Sequence, residues 1–93
     1  MGRNKMRIEL DCSIITDREI LHDILMEQFH FPEYYGRNLD ALYDLLTDIS
    51  EDTEVIILNS DSLRENLGVY SAALIVTLNQ ASENNPYFSF QIY

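Results

Sequence analysis

The sequence predicts an α/β fold: one small domain in which about four helices pack against a three-stranded parallel sheet. Strand-like stretches lie near the start, middle and end of the chain, and the helical stretches between them are typical of parallel sheets with right-handed crossovers. The middle strand, Glu54–Leu58 (EVIIL), is apolar enough for a central place with both faces covered. The chain of 93 residues, 46% of them hydrophobic, suits a single domain, residues 1–93, with one core.

The first strand and the first helix follow from periodicity. From Met6 to Cys12 apolar and charged residues alternate, which predicts a strand with one buried face. Thr16 followed by Glu19 fits a capping box, so a helix should begin there and continue to about Phe29. The apolar stripe of this helix consists of Ile20, Leu21, Ile24, Leu25 and Phe29.

A turn and a second helix occupy the middle of the chain. Pro32 fixes its own φ and disfavours helical geometry at Phe31, and Gly36 can adopt a positive φ without steric cost. Asn38 is a favourable N-cap, so a helix should run from there to about Thr47. The inward face of this helix consists of Leu39, Leu42, Leu45, Leu46 and Ile49.

The last third of the chain predicts two more helices and a final strand. A short helix should start within Asn59–Asp61 and end near Gly68, because glycine suits a helix terminus. Tyr70–Ser82 is rich in β-branched residues, yet its length and its apolar repeat favour a helix that is buried on much of its surface. A polar run with a proline ends that helix, and Tyr87–Tyr93 alternates as the last strand.

Three aspartates give the second helix its distinctive feature. Asp40, Asp44 and Asp48 step by four, so they form a row on the side opposite the leucines. Like charges one turn apart cost roughly 0.2–0.5 kcal/mol, and a carboxylate near the C-terminal end opposes the helix dipole. A solvated face therefore explains Asp40 better than the other two, and the row indicates a cationic partner. Three tyrosines flank the row: Tyr34 and Tyr35 of the turn, whose side chains should diverge, and Tyr43, whose hydroxyl should be free.

The net charge and the cysteine content limit the classes of protein to which this chain can belong. The sequence has 16 acidic and 6 basic residues, a net charge of −10, which repels nucleic acids and anionic membranes and attracts basic proteins. No apolar run is long enough to span a bilayer, and Glu9 and Asp11 interrupt any signal-peptide core after Arg3. The lone Cys12 favours a reducing compartment. We expect a cytoplasmic protein, monomeric when free, with no nucleic acid or membrane partner.

The residues that catalysis would need are sparse. His22 and His30 are the only histidines, and cleavage of RNA by general acid–base catalysis would use such side chains. His22 lies inside the first predicted helix, however, His30 leads into the turn, and no basic cluster surrounds either. No metal-ligand spacing, phosphate-binding loop or nucleophile motif occurs. We therefore expect no enzyme activity, no catalytic residue, no metal site and no cofactor.

The stretch FPEYYGRNLDALYDLL, residues 31–46, resembles the central motif of the barstar family, intracellular inhibitors of the secreted bacterial ribonuclease barnase. The resemblance implies the same three-stranded parallel fold and an antitoxin-like bacterial protein that blocks the active site of a basic ribonuclease. By position it implies that Tyr34 packs near the catalytic histidine of the enzyme. It also implies that Asp40 and Asp44 reach the basic phosphate site, with Asp44 dominant and with Gly36 and Asn38 beside them.

The chain departs from the family pattern at several positions. Tyr43 and Ile49 stand where barstar has tryptophans, and Asp48 stands where it has glycine. The alignment places Gln80 at a further acidic contact of the family, which would replace a charge-assisted contact by a neutral hydrogen bond. The partner-binding residues implied by the resemblance and the row are Tyr34, Gly36, Asn38, Asp40, Tyr43, Asp44, Asp48 and Gln80.

Two other functions remain open on the sequence. A protein of this fold can serve as a binding module for a different basic protein, since fold alone does not fix function. The tripeptide Asp61-Ser62-Leu63 matches the sequence around the serine that carries phosphopantetheine in acyl carrier proteins, which would make Ser62 the attachment site. The strand patterns EVIIL and FSFQIY do not suit such an all-helical carrier.

Overall fold

The structure, a computed structural model, describes residues 5–93. In chain order the elements are β1 (Met6–Asp11), a short 3₁₀ turn (Cys12–Ile14), α1 (Arg18–Phe29), α2 (Leu39–Thr47), β2 (Thr53–Leu58), α3 (Ser60–Leu67), α4 (Val69–Asn84) and β3 (Phe88–Ile92). Over the described range the chain therefore has three strands and four helices, and the predicted α/β fold class is confirmed. The domain prediction covered residues 1–93, of which the first four, including Arg3, lie outside the described residues.

The sheet is parallel and runs in the order β1-β2-β3. Val55 at its centre lies level with Ile8 on one side and Phe90 on the other. Helices α1 and α2 connect β1 to β2, and α3 and α4 connect β2 to β3. The apolar EVIIL strand is the central one, as predicted.

The helices cover only one face of the sheet, so the expectation that both faces of the central strand are covered was wrong. Alternate strand residues belong to the core: Ile8, Leu10, Val55, Ile57 and Phe88. The residues between them point the other way, and Arg7, Glu9 and Gln91 are exposed there. Two right-handed crossovers that step in the same direction across a sheet place their helices on the same side. On the open face Glu54 is buried beside Arg7, 3.5 Å away, and Lys5, 3.8 Å away.

Helix α1 begins one residue later than the capping-box prediction placed it. The N-cap is Asp17, whose carboxylate accepts a hydrogen bond of 2.9 Å from the backbone N–H of Ile20. Thr16 as the cap was therefore wrong, because the neighbouring aspartate offers the stronger acceptor at the position where the chain turns into the helix. The helix ends at Phe29 as predicted, and His30 after it adopts left-handed backbone geometry with φ 58°.

Helices α3 and α4 follow each other with only Gly68 between them. Gly68 has φ 56°, a region that glycine enters at little cost, so the predicted role of this glycine at the end of α3 is confirmed. The helix predicted over Tyr70–Ser82 is α4, which the structure extends at both ends. It is buried along one side only, through Ser71, Leu74, Leu78 and Ala81. Val76, by contrast, is 55% exposed, so burial on much of the surface was an overestimate.

Candidate functional site

Aromatic packing anchors the turn that precedes α2. The ring of Phe31 stacks on that of Phe29 with 5.0 Å between centroids and lies 4.8 Å from that of Tyr35. The backbone N–H of Tyr35 donates a 2.9 Å hydrogen bond to the carbonyl of Pro32, which closes the turn. The segment that leads into α2 is therefore fixed against the core.

The two adjacent tyrosines of this turn point in opposite directions. The side chain of Tyr34 is 84% exposed, whereas Tyr35 is 5% exposed and belongs to the core. The predicted divergence is confirmed. A ring as exposed as that of Tyr34 buries little in the free protein, so it is available to a partner surface.

Gly36 serves the turn in a different way from the one predicted. The residue with positive φ is Arg37, at 54°, and Gly36 does not have one, so that prediction was wrong. A Cβ atom at Gly36 would lie 3.2 Å from the Cβ of Ala41 and 3.2 Å from Nδ2 of Asn38. Glycine is favoured here because the backbone passes close to the first turn of α2. The side chain of Arg37 forms an ion pair with Asp23 of α1.

Asn38 caps α2 as predicted. Its Oδ1 accepts a 2.8 Å hydrogen bond from the backbone N–H of Ala41, and its Nδ2 donates to the carbonyl of Gly36 at 3.2 Å. The side chain thus joins the turn to the helix while remaining exposed. A contact of Asn38 with a partner stays a prediction.

Asp40, Asp44 and Asp48 are all exposed on α2. Asp40 lies in the first turn, where the helix dipole favours a negative charge, and Asp48 is the C-cap, where the dipole opposes one. Within residues 5–93 no lysine, arginine or histidine lies within ion-pair distance of any of the three carboxylates. The inward face of the helix is packed through Leu42 and Leu46, which are fully buried. The row is therefore presented by a helix whose orientation is set by the core.

Tyr43 and Gln80 lie at the boundary between α2 and α4. Tyr43 packs against the core, and its hydroxyl accepts a 2.7 Å hydrogen bond from Nδ2 of Asn84, so the expectation of a free hydroxyl was wrong. Gln80 is exposed on α4, one helical turn before Asn84, and residues one turn apart share a helix face. Gln80 therefore lies on the side of α4 that faces α2. We call the residues Tyr34, Asp40, Tyr43, Asp44 and Asp48 the acidic surface.

A buried asparagine fixes the far end of α2. Nδ2 of Asn85 donates to the backbone carbonyls of Leu46, at 2.8 Å, and Ile49, at 2.9 Å. The last carbonyls of a helix have no i+4 partner within the helix, and this side chain binds that of Leu46 together with that of Ile49, just beyond the C-cap Asp48. With Asn38 at one end and Asn85 at the other, both ends of the helix that carries the row are held in place.

The structure also contains a buried polar cluster that sequence reasoning missed. His22 is 1% exposed, with Nδ1 2.6 Å from the hydroxyl of Tyr35 and Nε2 2.7 Å from the hydroxyl of Tyr70. A neutral imidazole has one donor and one acceptor nitrogen, so one hydroxyl accepts from the ring and the other donates to it. Burial, aided by the positive charges of Arg37 and Arg18, lowers the pKa of His22. The available signal was its position directly after Leu21 on the inward side of α1.

A cavity of about 420 Å³ lies at the N-terminal end of α2, next to the acidic surface. Its lining includes Arg18, His22, Arg37, Asp40 and Tyr70. The guanidinium of Arg18 lies 5.0 Å from the centre of the Tyr70 ring, within cation–π distance. The sequence alone did not predict that Arg18 and Arg37 lie at this site. Neither residue belongs to α2, so a helical projection of α2 does not place them near the aspartate row.

Other kinds of site find little support in the described part of the chain. Residues 5–93 contain no cluster of three or more histidine, cysteine, aspartate or glutamate side chains placed to hold a metal ion. Ser62 lies within α3 of an α/β sheet protein, and this fold overturns the alternative of an all-helical acyl carrier. None of the described helices has both the length and the apolar character that crossing a membrane requires.

Comparison with known proteins adds two findings. The family model described as "Barstar (barnase inhibitor)" matches residues 6–93. A protein of Bacillus subtilis (strain 168) named "Putative ribonuclease inhibitor YrdF" is 35% identical over 78 residues, which cover 83% of this chain and 86% of that relative. The family match therefore includes every strand and helix described above.

Proposed function

The chain belongs to the barstar family, and from this premise we propose that it inhibits a basic, barnase-like ribonuclease by covering the active site of the enzyme with the acidic surface. The family and the name of the Bacillus subtilis relative support a ribonuclease-inhibitor role and point to a protein that does not itself catalyse a reaction. The target enzyme and the residues that bind it are the parts proposed here.

The observation that carries the proposal is the row of exposed aspartates, none of which forms an ion pair with another residue in the range 5–93. Asp44 lies in the middle of α2, where neither a cap nor the helix dipole favours it, and Asp40 and Asp48 lie one turn away on either side. Such spacing costs stability in the free protein. Arginine or lysine side chains of a partner would remove this cost and gain charge-assisted hydrogen bonds.

The mechanism follows from the positions of these groups. Asp40 and Asp44 are separated by about 6 Å along the helix axis, so they can reach neighbouring cations in a cleft that otherwise binds RNA phosphates. Tyr34 extends from the turn beside them and supplies the exposed aromatic surface that commonly anchors protein interfaces. RNA is excluded because carboxylates and tyrosine occupy the places of phosphates and bases.

The acidic surface is already ordered in the free protein. The caps at Asn38 and Asn85 and the buried leucines hold α2, and the stacked phenylalanines hold the turn. Little ordering is then required on association, which favours affinity. We further propose that the chain acts as one domain, in keeping with the core cluster that residues 5–93 form. We also propose that it acts in the cytoplasm, as an intracellular inhibitor would.

Titration of a barnase-like ribonuclease with this protein tests the proposal. Cleavage of a fluorescent RNA should fall to zero near equimolar inhibitor, and a higher RNA concentration should weaken inhibition because the two compete. The double variant Asp40→Asn/Asp44→Asn should inhibit far less than the parent. Glu27→Gln/Glu65→Gln, which removes two exposed carboxylates from α1 and α3, is the matched control and should inhibit fully.

Two outcomes would count against the proposal. A protein that leaves the ribonuclease active at every ratio would favour the alternative of a binding module for another basic protein. Equal loss of inhibition in both double variants would show that only total charge matters and that the acidic surface has no special role.

A further inference from the structure

The charges of this protein are distributed unevenly. Residues 69–93, which form α4 and β3, contain a single charged side chain, Glu83, in a protein with a net charge of −10. We call residues 69–93 the C-terminal flank. This flank also holds most of the large hydrophobic side chains that are exposed in the described range: Val69, Val76, Tyr87, Ile92 and Tyr93.

The two edges of the sheet differ in the same way. Edge strand β1 carries Arg7, Glu9 and Asp11 on its exposed positions, and charged side chains of this kind discourage the pairing of an edge with another strand. Edge strand β3 has the sequence FSFQI and no charge. The β3 edge therefore lacks the protection that the β1 edge has.

The outer edge of β3 presents unpaired backbone groups. The carbonyl of Tyr87 accepts from the N–H of Thr53, and the N–H of Tyr93 donates to the carbonyl of Ile57, so every second residue from Tyr87 faces β2. The alternate residues Phe90 and Ile92 direct their N–H and C=O groups away from the sheet. Within the part of the chain that the structure describes, no segment outside the sheet forms a backbone hydrogen bond with these two residues.

We propose that β3 pairs with β3 of a second copy of this chain, antiparallel about a two-fold axis at Phe90, which joins two sheets into one of six strands. In this register Phe90 faces Phe90 of the second copy, Phe88 faces Ile92 and Ser89 faces Gln91. Apolar side chains on the helix side of the sheet then lie opposite apolar ones, and polar side chains on the open side lie opposite polar ones. The strand is self-complementary, as a two-fold interface requires.

Charge favours a second copy as the occupant. Two molecules with a charge of −10 repel each other over most of their surfaces, and they approach at lowest cost where each is uncharged. The proposed pairing brings the exposed tyrosines Tyr87 and Tyr93 of the two copies together at each end of the strand. It uses no residue of the acidic surface, so this inference goes beyond the proposed function and does not depend on it. It departs from the expectation of a free monomer, which took no account of where the charges lie.

Sedimentation equilibrium over a range of protein and salt concentrations tests the dimer. The mass should rise toward twice that of the chain as protein concentration increases, and dimerisation should strengthen with salt because salt screens the repulsion between the copies. In hydrogen exchange, the amides of Phe90 and Ile92 should become slower at high protein concentration, while those of β1 should not change. A single species of monomer mass under all conditions, or a dimer without protection at Phe90, would overturn the proposal.

A pair of matched variants locates the interface. Ile92→Glu adds a negative charge at the β3 edge and should raise the dissociation constant of the dimer by about tenfold or more, equivalent to about 1.4 kcal/mol. Ile14→Glu adds the same charge at another exposed isoleucine, in the turn after β1, and should change it far less. Equal effects of the two variants would mean that net charge, and not the β3 edge, governs association. The exchange measurement on the parent protein decides the matter if either variant fails to fold.

Discussion

The acidic surface and the C-terminal flank of this protein expose opposite kinds of chemistry. On α2, three carboxylates stand one turn apart without a counter-charge among residues 5–93. On α4 and β3, a stretch with the single charge of Glu83 exposes valine, isoleucine and tyrosine. Neither arrangement is favoured in an isolated molecule, because like charges repel in the first and exposed apolar groups contact water in the second.

The difference between the two regions is the reason for proposing two partners of different chemistry. A row of aspartates is stabilised by cations, so it suits the basic ribonuclease proposed above and disfavours contact with a second copy of this acidic chain. An uncharged strand edge can pair its free backbone groups with another strand, and it suits the second copy proposed above because it adds no charge repulsion of its own.

The largest effect should come from the support beneath the acidic surface. Tyr35 is buried and its hydroxyl lies 2.6 Å from His22, so Tyr35→Ala should lower the free energy of unfolding by about 3–5 kcal/mol. Tyr34→Ala, one residue earlier and 84% exposed, should change stability by less than about 0.5 kcal/mol and should weaken inhibition. Thermal unfolding and ribonuclease inhibition of both variants check this. The reverse pattern would mean that Tyr34 supports the fold and that Tyr35 contacts the partner.

A comparable effect, on binding alone, is expected at Asp44. Asp44→Ala should reduce affinity for the ribonuclease by about 2–5 kcal/mol, because truncation leaves cations of the partner buried and unpaired. Barnase and barstar are among the proteins on which such magnitudes were measured. Stability should be unchanged or should rise by a few tenths of a kcal/mol, since two like-charge contacts disappear. Glu65→Ala on α3 provides the control and should leave affinity unchanged. Inhibition by Asp44→Ala equal to that of the parent would make Asp44 an ordinary solvated residue.

A smaller effect is expected at His22, which links the turn of the acidic surface to α4 through Tyr35 and Tyr70. Burial, with Arg37 and Arg18 nearby, lowers its pKa, so below about pH 6.5 the unfolded chain binds a proton that the folded protein does not. The contribution of His22 to the free energy of unfolding is therefore full above about pH 6.5. It decreases as the pH falls toward the lowered pKa of His22 in the folded protein. The loss should approach about 1.4 kcal/mol per pH unit.

Chemical denaturation at a series of pH values measures this loss. His22→Gln should be less stable than the parent at neutral pH and should lack the part of the pH dependence that begins near pH 6.5. His30→Gln removes an exposed imidazole and should behave as the parent does. If His22→Gln keeps the full pH dependence, other groups are responsible for it.

Much of the fold was predictable because its signals are local. The N-cap Asn38, the leucines of α2 and the apolar strand β2 each follow from residues a few positions apart, and the structure has them as predicted. What the sequence did not reveal depends on contacts between distant segments. The hydroxyl of Tyr43, for example, is taken by Asn84, 41 residues later.

The candidate site shows the same limit. The aspartate row is a helical pattern and is visible in the sequence, whereas the cluster of His22 with Tyr35 and Tyr70 joins three separate parts of the chain. The open face of the sheet depends on the direction of both crossovers together. Whether Gln80 contacts a partner stays a prediction, because it rests on an alignment within a helix that has few landmarks.

The rate at which this protein associates with a barnase-like ribonuclease, measured by stopped flow as salt increases, tests the central claim most directly. If the acidic surface meets a basic cleft, the rate should fall steeply once the Debye length shortens to about 8–10 Å and below. Asp40→Asn/Asp44→Asn should associate more slowly at low salt and should depend on salt less strongly than Glu27→Gln/Glu65→Gln, which has the same net charge. A rate that does not change with salt, or the same salt dependence in both double variants, would contradict the assignment of the acidic surface as the ribonuclease-binding element.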